Sequence, residues 1–174
     1  MFYGAEVLES CGAVLFDTTK QNVCLLRRVK DNQTVEFVLP KGRRTVGEHR
    51  RDAATRQAMV GTGHACHLHA VRLATRAPRP TEPPGVDDEP RLYHNIATEH
   101  FAFTERRSGA KVDERTYWYL VVADSDRPAV GGERPFSPRF FTADDALRII
   151  TFPDEREVLE EGILLVKGNP GLVG

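Results

Sequence analysis

Three observations lead the sequence to predict an α+β or α/β sandwich. A near-continuous apolar run, CGAVLF at 11–16, suits a strand buried on both faces. The string TYWYLVV at 116–122 is rich in aromatic and β-branched residues and is the strongest strand signal in the chain. Helical stretches follow a polar loop near residue 47 and close the chain, so strands, one helix, more strands and two terminal helices succeed one another.

The elements are expected in this order. Ala5 to Phe16 reads as a strand, Thr18 to Asn22 as a polar turn, and Val23 to Val29 as a second strand, so the pair forms a hairpin. A short third strand, Glu36 to Leu39, ends at Pro40, which cannot continue a central ladder. Lys41 to Gly47 reads as a loop leading into a helix from about Glu48 to Val60. Ala53, Ala54 and Ala58 form its modest apolar stripe, and Gly61 and Gly63 stop it. Further strands are expected at Ala65–Leu73, His94–Thr104 and Val112–Ala123. Thr75 to Pro90 holds five of the eleven prolines and little to bury, which makes it a long exposed loop open to disorder. Asp126 to Pro138 is a second proline- and glycine-rich loop. Helices over Ala143–Ile150, capped by Thr142, and Asp154–Val166 complete the chain.

The 174 residues fit one domain over 1–174 with a real hydrophobic core. With 40% hydrophobic and 28% charged residues and a net charge of −1, the chain lacks the basic excess of a non-specific nucleic-acid or membrane binder. Cys11, Cys24 and Cys66 are too few and too scattered for a disulfide framework, so reduced thiols in a cytoplasmic or nuclear protein are expected. Glu6 stands where a secretory signal would be apolar, and no apolar stretch reaches the ~20 residues of a membrane helix.

The segment Gly42 to His64 reads GRRTVGEHRRDAATRQAMVGTGH. It resembles the Nudix box, G-x5-E-x7-R-E-U-x-E-E-x-G-U with U aliphatic. Gly42 matches the first glycine, Glu48 the first glutamate, Arg56 the arginine, Ala58 the first aliphatic position and Gly63 the closing glycine. With a preceding strand that ends in LP, the resemblance extends over about Ala5 to Val166. It implies a Nudix fold, a mixed β-sheet sandwiched between helices. In that family the glutamates at the positions of 57, 60 and 61 lie i, i+3 and i+4 on one helix face. There they hold Mg²⁺ or Mn²⁺, hard cations that prefer oxygen ligands, against the substrate's diphosphate. Here the three positions are Gln57, Val60 and Gly61, and the box is degenerate: of its four glutamates only Glu48 remains. The resemblance therefore implies a residual catalytic and weak metal-binding role for Glu48, an orienting role for Arg56, and metal-dependent hydrolysis that is weak or lost. Glu99, Glu105, Asp113 and Glu114 are the carboxylates outside the box that later strands bring toward the same pocket, if they are not plain surface charges.

Lys41, Arg43, Arg44, Arg50, Arg51 and Arg56 crowd the box, and Arg27, Arg28 and Lys30 lie on the preceding hairpin. Arginine suits multidentate phosphate contacts, so Lys41, Arg43, Arg44 and Arg28 are the expected ligand-binding residues; a solvated helix face is the plainer alternative. LPKGRR and the closing TADDALRIITFPDEREVLEEGILLV resemble the branch that cleaves diphosphoinositol polyphosphates and diadenosine polyphosphates. In the string His64-Ala65-Cys66-His67-Leu68-His69, strand alternation leaves at most two ligands on a face, against the four of a structural zinc site. Trp118 suits core packing better than stacking on a base.

Three readings follow: a sensor or binding module for a polyphosphorylated small molecule such as an inositol pyrophosphate or nucleotide; an active phosphoanhydride hydrolase with Mg²⁺ or Mn²⁺ ligands from outside the box; or a protein-interaction domain contacting its partner through the proline-rich loop. Neither a membrane nor a specific nucleic acid is expected as a partner.

Overall fold

A computed structural model of the protein describes residues 6–83, 89–128 and 136–168. Strand β1 (Leu8–Phe16) lies at the centre, running parallel to β9 (Lys111–Ala123) from Leu8↔Glu114 to Phe16↔Val122. Its apolar run is buried throughout, as expected of a strand covered on both faces. On the other side β2 (Asn22–Val29) pairs antiparallel with β1 as a hairpin, but only at Leu15↔Cys24 and Phe16↔Val23. There the two strands part. β1 continues against β4 (Lys41–Arg43), and β2 against β3 (Val35–Val38). The expected loop at Lys41–Gly47 thus begins as a strand, because the splayed β1 leaves Ser10, Cys11 and Gly12 in need of hydrogen-bond partners.

The remaining strands differ from expectation in their breaks. Ala65–Leu73 divides into β5 (Cys66–Leu68), which pairs with β9, and β6 (Val71–Thr75), which joins a separate two-stranded sheet with β7 (Arg91–Ile96). His94–Thr104 divides likewise, since β7 ends at Ile96 and β8 (Ala102–Ser108) pairs with β9. Of the expected loop Asp126–Pro138, residues 129–135 lie outside the described residues, and β10 (Phe136–Thr142) takes Pro138 into a ladder opposite Leu26. Proline is tolerated there because β10 is an edge of the sheet, whose order is β10-β2-β1-β9-β5. Residues 84–88 of the expected proline-rich loop lie outside the described residues, and 76–81 are exposed.

Alternation along β1 sends Cys11, Ala13 and Leu15 to one face and Val14 and Phe16 to the other. Helix α1 (Arg50–Thr62) covers the first face with Ala53, Ala54 and Ala58, small residues that let it sit close. Gly61 does not end this helix. It lies within it, buried, and the stop is Gly63, whose φ of 75° is the left-handed conformation that glycine adopts freely. Helix α2 (Ala143–Ile149) covers the second face through Ala146, and α3 (Pro153–Val166) through Val158, Leu159 and Ile163. Thr142 caps α2 as expected, its hydroxyl accepting from Asp145 N–H at 3.2 Å. The result is a mixed sheet between helices. Among the described residues, no helix is long and apolar enough to cross a membrane. Cys11, Cys24 and Cys66 are all free.

Two contacts set the sheet's interior. Trp118, fully buried, lays its ring over the cross-strand Gly12, where a Cβ would come within 2.4 Å of its Cζ3. Its Nε1 donates to Thr104 Oγ1 at 3.0 Å, so the indole is core rather than a stacking surface. The start of α3 is strapped to β3. Thr151 Oγ1 accepts from Phe37 N–H at 2.8 Å, Thr151 N–H donates to Phe37 O at 3.0 Å, and Glu155 Oε2 accepts from Leu39 N–H at 2.8 Å. Burial pushes the Glu155 carboxyl up to about 7, against the lowering effects of the Leu39 bond and Lys41.

Gly12→Ala is expected to destabilise the protein by about 1–3 kcal/mol, read from urea unfolding, because the rigid indole has nowhere to go. Glu155 gives a pH signature. The folded protein holds its proton more tightly than the unfolded chain between 4.5 and about 7, so stability declines as pH rises through that window and stays lower above it. Glu155→Gln is therefore expected to melt about 5 °C higher than the parent near pH 8 and to converge with it near pH 5. Identical melting shifts at both pH values would contradict the assignment.

Candidate functional site

The divergence of β1 and β2 opens a cleft of about 690 Å³. Leu39, Pro40 and Lys41 line it where the chain crosses from β3 to β4. Leu26, Arg28 and Val38 face it from β2 and β3, and Thr104, Glu105, Glu114 and Thr116 from β8 and β9. α1 contributes Gln57 and Gly61, and the start of α3 contributes Asp154 and Glu155. The cleft therefore connects the helix of the box-like segment with the C-terminal helix.

Within that segment, Gly42 and Gln57 are in close contact: a Cβ on Gly42 would stand 2.4 Å from the Gln57 Cδ. The Gln57 amide also donates from Nε2 to Arg43 O at 3.2 Å. A Cβ at Gly61 would meet Leu26 Cδ1 at 3.0 Å. Val60 is 40% exposed and is not part of the cleft wall. Helical spacing placed 57, 60 and 61 on one face, yet the wall of the cleft takes only the first and last of them.

Glu48 has a different setting from that expected of a metal ligand. Arg56 grips it with Nε to Oε1 at 2.7 Å and Nη2 to Oε2 at 3.0 Å. Thr45 donates to Oε2 from both N–H and Oγ1, each at 3.0 Å. These bonds, that from Arg56 foremost, hold the Glu48 carboxyl down at about 2. Arg56 Nη2 also reaches Arg43 O at 3.0 Å, so the pair fastens the 43–48 loop onto α1. Glu48 borders a second, smaller hollow of about 360 Å³ rather than the main cleft.

The expected basic cluster is divided in the same way. Arg28 and Lys41 line the main cleft, Arg28 in an ion pair with Glu36. Arg44 lies beside the smaller hollow with Arg50 and Arg51, and Glu9 on β1 binds both Arg44 and Arg50, at 2.6 and 2.9 Å. Arg50 also stacks over Tyr117, 3.9 Å from the ring centre. Arg43 is exposed and lines neither cavity; its carbonyl serves Arg56 and Gln57.

Of the carboxylates outside the box, Glu105 and Glu114 line the cleft, whereas Glu99 and Asp113 do not. Glu105 is held by Arg107 and Arg115, with Arg115 Nε at 3.0 Å, which keeps its carboxyl below the ordinary range. Glu114 accepts from Ser10 Oγ at 2.6 Å and faces Arg106 at 3.7 Å. Glu155, Arg106 and Arg107, not expected from the sequence, also line the cleft. Glu155 had a signal: with Val158, Leu159, Gly162 and Ile163 it continues a buried stripe spaced i, i+3, i+4, i+7 and i+8, an unusual place for a carboxylate. Among the described residues, no three His, Cys, Asp or Glu side chains converge to hold a metal ion. In the His64–His69 string, His64 is buried edge-on to Phe140, Cys66 is half-buried near Thr55 O, and His67 lies 2.6 Å from Asp124 on the surface.

No protein-family model and no curated protein matches this sequence. Solved structures do resemble it. A Nudix hydrolase from Nitrosomonas europaea superimposes with a TM-score of 0.58 at 12% identity, over 88% of this chain and 86% of its own. A C. elegans Ap4A hydrolase in a binary complex gives 0.56 at 13%, over 88% and 93%. The solution structure of the E. coli ORF135 protein gives 0.57 at 12%, over 92% and 91%. At such identities the likeness is one of architecture, and the mixed sheet held between α1 and the α2–α3 pair is the fold of the Nudix hydrolases.

Proposed function

We propose that the protein binds a diphosphate- or polyphosphate-bearing small molecule, of nucleotide or inositol pyrophosphate type, in the cleft between α1 and α3, with metal-dependent hydrolysis weak or lost. The observation that carries this reading is the pairing of cations with an uncharged helix face. Arg28 and Lys41 face the cleft, as do Arg106 and Arg107, while α1 offers it Gln57 and Gly61. Guanidinium and ammonium groups are the usual partners of phosphate oxygens. The walls are also partly apolar, with Leu26, Val38, Phe136 and Phe152. That mixture suits a nucleotide better than a uniformly phosphorylated ring, and the Ap4A hydrolase among the similar folds carries a nucleotide substrate in its name.

The residues do not fit Mg²⁺ or Mn²⁺ in the way the resemblance implies. A neutral amide that donates to Arg43 O, an exposed valine and a glycine supply no anionic oxygen, whereas Mg²⁺ gives up its water reluctantly and is held chiefly through carboxylates and phosphates. Glu48, with both oxygens occupied by Arg56 and Thr45, acts in this reading as the partner that lets Arg56 orient the loop. Glu105 and Glu114 favour the second reading, an active hydrolase with outside ligands, by their place in the cleft. Their arginine and serine partners favour the first. Arg43, exposed, and Arg44, paired with Glu9, make no direct ligand contact in this reading.

Thermal shift and calorimetry with diadenosine tetraphosphate and an inositol pyrophosphate, with and without Mg²⁺, test the reading. Lys41→Ala and Arg28→Ala are each expected to weaken binding about 10-fold or more, the usual effect of losing a charge-assisted bond. Silence with every ligand would instead favour a protein-interaction domain, and phosphate release at the rates of intact hydrolases would restore the second reading. Gln57→Glu, Val60→Glu and Gly61→Glu together are expected to create Mn²⁺ binding absent from the parent, measured by calorimetry on protein whose circular dichroism is unchanged. A correctly folded triple variant that binds no Mn²⁺ would show that the helix face has been misassigned.

A further inference from the structure

We propose that Glu155 couples ligand binding to proton uptake: an anion settling beside Lys41 drives the buried carboxylate to take a proton from solvent. This rests on the reading of the cleft as a phosphate-ligand site and deepens it by naming the residue that sets its pH dependence.

The geometry places a carboxyl group and a ligand in competition for one cation. Glu155 is 3% exposed yet lines the cleft, its Oε2 fixed by the Leu39 N–H at 2.8 Å. Its Oε1 lies 4.0 Å from the Lys41 Nζ, too far for a strong hydrogen bond and close enough for charge to be felt. The other cations lining the cleft have carboxylate partners of their own. Arg28, on β2, is held by Glu36 and favours Glu155 ionisation less than Lys41 does. Across the cleft, Arg106 faces Glu114 and Arg107 faces Glu105. Asp154, next to Glu155 on α3, adds negative charge that disfavours ionisation of its neighbour. Lys41 is thus the cation beside Glu155 that an entering phosphate oxygen would share.

The direction of coupling follows. A carboxylate removed from water is costly unless paired, and burial already brings this one to about 7. When an anion takes up the Lys41 charge, Glu155 loses its counter-ion and gains a negative neighbour, and both changes favour the neutral acid. The carboxylate then gains one proton on Oε1, because Oε2 accepts from the Leu39 N–H. Binding consumes a proton, so affinity falls as pH rises above neutrality.

Diadenosine tetraphosphate is the suitable probe, because all its phosphates are bridged and none titrates near neutrality. Calorimetry in two buffers of different ionisation enthalpy, from about pH 6 to 9, reads proton uptake directly. For the unaltered protein we expect uptake approaching one proton near pH 8 and a Kd weakening by up to about 10-fold per pH unit there. Glu155→Gln is expected to bind with a flat profile at the parent's low-pH affinity. Binding by the parent with no proton uptake and no pH dependence would overturn this inference and leave the site assignment standing. No binding at any pH would overturn the site assignment for this ligand, and the inference with it. The parent's proton balance decides the matter even if Glu155→Gln fails to fold.

Discussion

Strands β1 and β2 share register only at Leu15↔Cys24 and Phe16↔Val23 before they separate, and what the protein can offer a ligand depends on that separation. A β-strand that loses one neighbour must find another, because buried backbone donors and acceptors are costly to leave unpaired. β1 takes Lys41–Arg43 and β2 takes Val35–Val38. The chain between, Leu39 and Pro40, bridges the gap, with Pro40 O accepting from Ala13 N–H at 3.0 Å. A cleft lined by backbone corners and by side chains from both helical layers is the consequence.

The same separation explains the charge distribution. Segments that are close in sequence are sent to different sides of the β1–β4 pair. Arg28 and Lys41 enter the cleft, while Arg44, Arg50 and Glu48 face the smaller hollow, anchored there by Glu9 and Arg56. Charges that look like one basic field along the chain are, in space, mostly internal ion pairs. Exposed pairs of this kind add little to stability. Their effect here is to fix the loop at 43–48 and the register of α1 beneath it.

The helix face turned to the cleft presents an amide and a bare backbone position, Gln57 and Gly61. Gly42 lies against the flexible end of the Gln57 side chain, and Gly63 ends the helix in a left-handed turn that glycine adopts freely. The carboxylate that most distinguishes this cleft comes from the opposite helix, where Glu155 is buried among the apolar side chains of α3.

Strand identity, the central apolar strand, the Thr142 cap and the sandwich of helices were legible in the chain because they depend on periodicity and local backbone preference, which neighbouring residues carry. So was Gly63 as a stop of the first helix, since a left-handed turn is a local backbone preference. The breaks at Ile96 and Val71, the strand at Lys41–Arg43, the continuation of α1 past Gly61 and the entry of Pro138 into an edge ladder were not, because each answers to a partner distant in sequence. Which cations face the cleft, which carboxylates are already paired, and that Glu155 lies buried against Leu39 were likewise decided in three dimensions. Pairwise electrostatics and desolvation depend on distance and burial, and only the assembled structure specifies those.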